Sequence, residues 1–182
     1  MIGPEGKAFR TAVALIGAMV LAACAIDHRT GATKFDRRDV SSLKSSGGNV
    51  ISGTARLTAA GNKTRTCASL PVRLAPDTNY TRDRISRLYG YGDEGFVDAR
   101  RAKDLRARQV ASIDKNYERS LMASVCDRQG RFTFRNLPDG TYFLLAPVVW
   151  RDNLGAVTEG GFFMQRIKVT GGETRRVVLA SR

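Results

Sequence analysis

"GRFTFRNLPDGTYFLLAPVVW", Gly130 to Trp150, is the stretch on which the fold turns. Phe132 and Phe134 fall on one side of an extended chain, and Arg131, Thr133 and Arg135 on the other. That is the period of two of a strand with one buried and one wet face. Asn136-Leu137-Pro138-Asp139-Gly140 predicts a turn, in which Pro138 presets φ and Gly140 tolerates the positive φ that a tight reversal often needs. From Tyr142 to Leu145 the alternation stops and both faces are apolar, as in a strand buried between layers. Pro147 has no N–H to give a ladder and predicts an edge or a bulge. With Leu144 and Trp150, these aromatics read as core, since a fully buried Phe or Leu contributes on the order of 2 to 3 kcal/mol.

Further strands flank this hairpin. In "NVISGTARL", residues Ile51, Gly53, Ala55 and Leu57 share a face, and a turn follows at Ala60-Gly61-Asn62. "TCASLPVRLAP" alternates Val72 and Leu74 against Arg73 and ends near Pro76. "FFMQRIKV" and "TRRVVLA", joined by Thr170-Gly171-Gly172-Glu173, close the chain. Two small sheets packed face to face need this pattern of short alternating strands and Gly/Pro turns. The expected fold is mainly β, a Greek-key β-sandwich of about seven strands with an inserted amphipathic helix.

The pattern breaks between 77 and 125. Residues 77 to 95 hold three tyrosines and three glycines among charges and read as a long surface excursion. Val110, Ile113, Tyr117 and Leu121 then recur at helical spacing, which predicts an amphipathic helix within 97 to about 122. Asp104 is placed to pair with Arg100 and Arg108 across one turn.

The N-terminus carries an address. Lys7 and Arg10 precede an apolar run, Ala12 to Ala23, that is short for a membrane span and has the shape of an export signal. It ends in Leu21-Ala22-Ala23-Cys24, which resembles the lipobox of bacterial lipoproteins. That resemblance implies cleavage of residues 1–23, lipidation of Cys24 and a stable membrane anchor, since two or more acyl chains hold a protein in a bilayer. An ordinary signal peptide with an incidental cysteine is the alternative. Ala25 follows the cysteine, where Asp implies inner-membrane retention in enteric lipoproteins, so the expected location is the outer membrane facing the periplasm. Residues 24–48, polar and rich in Ser and Gly, read as a flexible tether.

The chain of 182 residues has a formal net charge of +13, much of it arginine. Such charge favours anionic surfaces, which in an envelope are lipid headgroups, polysaccharides or acidic proteins rather than nucleic acid. An even spread over a solvated surface is the alternative. Cys67 and Cys126 remain beside Cys24, and an oxidising compartment predicts a disulfide between them, with two buried thiols as the alternative. His28 is the one histidine and falls in the tether, which argues against a Cys/His metal site or a Ser-His-Asp triad. No cofactor is expected.

Gly130-Arg-Phe-Thr-Phe-Arg-Asn-Leu-Pro-Asp-Gly-Thr-Tyr142, with Ile51 to Leu57 and Pro71 to Leu74 before it, resembles the carboxypeptidase-regulatory-like domains of the transthyretin (prealbumin-like) fold. The match spans about 49–76 and 127–180 and departs at 77–125, where this chain carries about 50 inserted residues. The resemblance implies a sandwich that serves as an interaction module and carries no catalytic residues across. The leading expectation is therefore a non-enzymatic, lipid-anchored periplasmic binding or scaffold module. Its candidate surface lies on the insertion: Tyr80, Arg82, Arg84, Arg87, Tyr89, Tyr91, Arg100, Arg101 and Arg106. The plainer alternative is that the insertion merely covers an open sheet face. A carbohydrate-binding role, with Trp150 and the loop tyrosines stacking on sugars, is a further reading. So is hydrolysis of envelope polysaccharide by Asp93, Glu94 and Asp98.

Overall fold

The period-two segments pair into two sheets in a computed structural model that describes residues 33–44, 46–108, 113–152 and 155–181. The strands are β1 (Asn49–Ala59), β2 (Lys63–Thr66), β3 (Pro71–Pro76), β4 (Glu94–Asp98), β5 (Met122–Val125), β6 (Arg131–Leu137), β7 (Gly140–Arg151), β8 (Thr158–Val169) and β9 (Thr174–Ser181). The helices are α1 (Asn79–Tyr89), α2 (Ala99–Arg108) and α3 (Lys115–Ser120). One sheet is built on β1, with β9 parallel along one edge and β6 then β2 antiparallel along the other. The second runs β4-β8-β7-β3-β5 and is antiparallel throughout. The mainly-β sandwich is thus the fold, with nine strands among the described residues. The extra ones are short: β2 and β5 have four residues each and β4 has five.

The inner faces meet in a core of Ile51, Val72, Leu74, Phe132, Phe134, Tyr142, Leu144 and Val148, all 5% exposed or less. The Cys67–Cys126 disulfide sits in this core, with Cα atoms 5.7 Å apart, and joins residues 59 apart in sequence. The ring it closes contains β3, β5 and the whole insertion. Constraining a loop of that length stabilises the fold by roughly 4 kcal/mol in the chain-entropy model.

One turn detail differs from expectation, and one strand detail agrees with it. The left-handed residue of the 136–140 reversal is Asn136 (φ 56°), and Gly140 is not among the positive-φ positions. Asparagine tolerates this region because its short amide satisfies nearby backbone. Pro147 lies in regular pairing with Phe162 of β8, with no bulge there. Its other side is free because the β3–β7 ladder stops at Arg73↔Leu145, so the missing N–H falls on a local edge.

The insertion departs most. Instead of one helix over 97–122 there are two, α2 and α3, and the described residues of 77–125 hold α1, β4 and β5 besides. Asp114 breaks the expected run: its carboxylate accepts from the N–H groups of Asn116 (2.7 Å) and Tyr117 (3.3 Å), capping a new helix. Of the expected stripe, Tyr117 is buried, Ile113 is 46% exposed, and Val110 lies outside the described residues. α1 lies inside the supposed surface excursion. Thr78 caps it by accepting from Thr81 N (3.1 Å), and Gly90, at φ 78°, ends it.

The helices lie on the outer face of the five-stranded sheet. Tyr80, Ile85 and Tyr117 pack there against Ala75, Phe143 and Met164, forming a second apolar layer. Asp77 pins this layer: its buried carboxylate accepts from Arg82 of α1 (2.6 Å) and from Arg166 of β8 (2.6 Å). Within the expected tether, 24–48, two side chains meet the helical layer. Phe35 meets the rings of Tyr80 and Tyr117 edge-on, each at 5.6 Å between centroids, and Arg37 donates to Asn116 Oδ1 at 2.7 Å. Phe35 and Arg37 therefore touch the domain, while 24–32 and Ser45 lie outside the described residues.

Candidate functional site

α2 supplies the most open feature of the covered face. Asp98 caps it by accepting from Arg101 N at 2.9 Å. Ala99 and Ala102, three residues apart, are the buried positions of its first turns. Their small side chains let the helix approach β4 and β8 closely, but leave space on either side. One cavity of about 260 Å³ lies toward α1 and is apolar, lined by Ile85, Leu88, Tyr89, Val97, Pro147 and Phe162 among others. The other, about 580 Å³, lies toward the β7–β8 hairpin tip. Its floor is Phe162 and Val157, and its rim carries Arg100, Lys103, Asp104 and Arg151. Both cavities share Ala102 and Phe162.

The rim of the larger cleft has three cations and one carboxylate. Arg100 and Lys103 make no ion pair among the described residues, and the expected Asp104–Arg100 pair is not formed. The Arg108 side chain lies outside the described ones. Arg151 donates to Gly155 O at 2.9 Å within the β7–β8 hairpin. A volume of this size suits a small ligand, and a few convergent polar groups over an apolar floor set its orientation.

The sequence-derived surface residues do not converge. Tyr80 is buried in the aromatic layer, and its hydroxyl accepts from Asp114 N at 3.1 Å. Arg82 is held by Asp77, which raises its pKa, and Arg87 pairs with Asp83 at 3.0 Å. The Arg84 guanidinium stands 5.6 Å over the Tyr80 ring. Tyr89 lines the small cavity and Tyr91 is 99% exposed. Arg100 is on the cleft rim, Arg101 is exposed beyond its capping bond, and the Arg106 side chain lies outside the described ones. Lys103, Arg151 and Phe162 were not read as site residues, and Asp104 was read only as an ion-pair partner of its own helix. Lys103 was within reach, one helical turn from Arg100. Arg151 and Phe162 were not, because β7–β8 pairing and the seat of α2 bring them together.

The three acids weighed for hydrolysis are engaged structurally. Asp93 pairs with Arg166 (3.3 Å), Glu94 accepts from Gln165 Nε2 (2.8 Å), and Asp98 caps α2. Trp150 is half-buried against the core, donates to Glu159 Oε2 (2.7 Å), and has Arg65 5.5 Å over its ring. Among the described residues no cluster of His, Cys, Asp or Glu is placed to hold a metal ion, and no helix is long and apolar enough to cross a membrane.

Fold and cleft together define a two-sheet sandwich with a helical cover and a basic groove at the cover's edge. No protein-family model matches the chain, and no curated protein matches it in sequence. Among solved structures it is similar to the crystal structure of a "putative carbohydrate binding protein" from Pseudomonas aeruginosa. The two share 25% identity over 83% of this chain and 100% of that one, with a TM-score of 0.67.

Proposed function

We propose that the protein is a non-catalytic binding module of the bacterial cell envelope that takes an acidic saccharide in the cleft beneath α2. The observation that carries this is the rim of Arg100, Lys103 and Arg151 over Phe162, in a cavity of about 580 Å³. Guanidinium forks pair with carboxylates in two parallel hydrogen bonds. Asp104 is placed to accept from sugar hydroxyls, and Phe162 offers an apolar floor to a pyranose C–H face. The similarity to a protein described as a putative carbohydrate binder supports the same ligand class. The module is a carboxypeptidase-regulatory-like sandwich lipidated at Cys24 and facing the periplasm from the outer membrane. The lipobox-like residues 21–24 support the anchor, and the disulfide fits an oxidising compartment.

Calorimetric titration with a galacturonic acid trimer and the matching neutral galactose trimer tests the cleft. The acidic trimer should bind at least tenfold more tightly, and Arg100→Ala with Lys103→Ala should erase that preference. Equal affinity for both trimers, or a variant that binds like the parent, removes the cleft from the account. Labelled palmitate tests the anchor: Cys24→Ser should abolish its incorporation, and unchanged labelling refutes lipidation at Cys24.

A further inference from the structure

Among the described residues no helix covers the outer face of the β1 sheet, and its composition is one-sided. Register places Ser52, Thr54, Arg56 and Thr58 of β1 on this face, opposite the buried Ile51 and Ala55. Across the strands lie Arg176–Ser52–Thr133, then Val178–Thr54–Arg131, then Ala180–Arg56–Thr66. Arg135 extends the β6 row, with Arg131, Thr133 and Arg135 all exposed. No Asp or Glu occupies an outward position of β1, β2, β6 or β9. Arg131 pairs with Asp127 from the preceding turn at 2.6 Å. Arg56, Arg135 and Arg176 have no ion-pair partner among the described residues. Strand spacing of about 4.8 Å and a rise of about 3.3 Å per residue spread these arginines over roughly 10 by 20 Å.

We propose that this face docks on the phosphate headgroups of an anionic bilayer. The face is open to contact: Val178 is 65% exposed, and neither cavity touches it. Short hydroxyl side chains at its centre leave the surrounding guanidiniums free to meet a plane of phosphates. It carries no outward aromatic ring and no groove, the features that would grip a single sugar chain. Each basic residue brought to an anionic bilayer raises partitioning by about fivefold, an effect that fades within a Debye length. The face is built from strands other than those lining the acidic-saccharide cleft, so either reading stands without the other.

Vesicle co-sedimentation of the full chain carrying Cys24→Ser tests the proposal, because residues 1–32 then contribute equally to every arm. Vesicles of phosphatidylcholine alone are compared with vesicles containing phosphatidylglycerol, at low and high salt. The parent should favour the anionic vesicles at least tenfold at low salt. Arg56→Gln, Arg135→Gln and Arg176→Gln together should remove that preference, all three being exposed positions. A control of Lys115→Gln, Arg119→Gln and Lys168→Gln, exposed residues away from this face, should change it by less than twofold. Equal losses in both triples would show diffuse charge and overturn the proposal. So would a parent that ignores anionic vesicles but binds soluble polygalacturonate through Arg56, Arg135 and Arg176.

Discussion

The outer faces of the two sheets present opposite chemistry on the same pleated geometry. On the five-stranded sheet, Phe143 and Met164 point outward and are buried beneath α1 and α3. On the β1 sheet, Thr54, Thr133 and Arg176 occupy the equivalent outward positions and meet solvent. A strand with two covered faces must be apolar on both, and one with a wet face alternates. β7 is of the first kind and β6 of the second, although only the seven residues 135–141 separate Phe134 from Tyr142. The two strands at 130–150 do not pair as the expected hairpin but enter different sheets, and their contrast records which sheet is roofed. The roof also frames the larger cleft, which is lined by the first turns of α2 and by the β7–β8 hairpin.

The disulfide offers the strongest means of separating the two faces. Its ring encloses the cover but none of β1, β6 or β9. Cys67→Ala with Cys126→Ala should cost roughly 4 kcal/mol in denaturant unfolding. Amide exchange should rise first in α1 to α3; equal loosening of β1 and β9 would show that the bridge serves both sheets alike. Next, Phe143→Ala should cost about 3 kcal/mol, because it empties a buried ring site beneath the helices. A loss below 1 kcal/mol would mean that the cover contributes little packing. The smallest effect belongs to the bare face: Thr133→Ala should change stability by less than about 0.5 kcal/mol. A larger loss would show that something covers that face in solution.

Local periods carried much of this far. Alternation at Phe132 and Phe134, two-faced apolarity at Tyr142 to Leu145 and the Gly/Pro turns led to the sandwich. The cysteine pair was legible from compartment and parity, and the structure joins it. The insertion read poorly for a physical reason. In α1 the buried residues are Tyr80, Thr81 and Ile85, so one buried position is polar and the stripe is too thin to stand out among arginines and aspartates. The caps Thr78 and Gly90 were the better signal there, as Asp114 was for the break before α3. The candidate cleft was legible at Arg100 alone. Charge count marked arginines without showing that Arg82 and Arg87 are already paired.

By itself the sequence determined the two-layer β architecture and the existence of a roofed strand, because each follows from residue period along the chain; it favoured the cysteine bridge over two buried thiols, and the structure joins the pair. Tertiary structure alone decided which helices form the roof, that Phe35 lies against it, and that Lys103, Arg151 and Phe162 share one cleft. Those relations join residues distant in sequence. They depend on where α2 seats on β8, and no local periodicity encodes that placement.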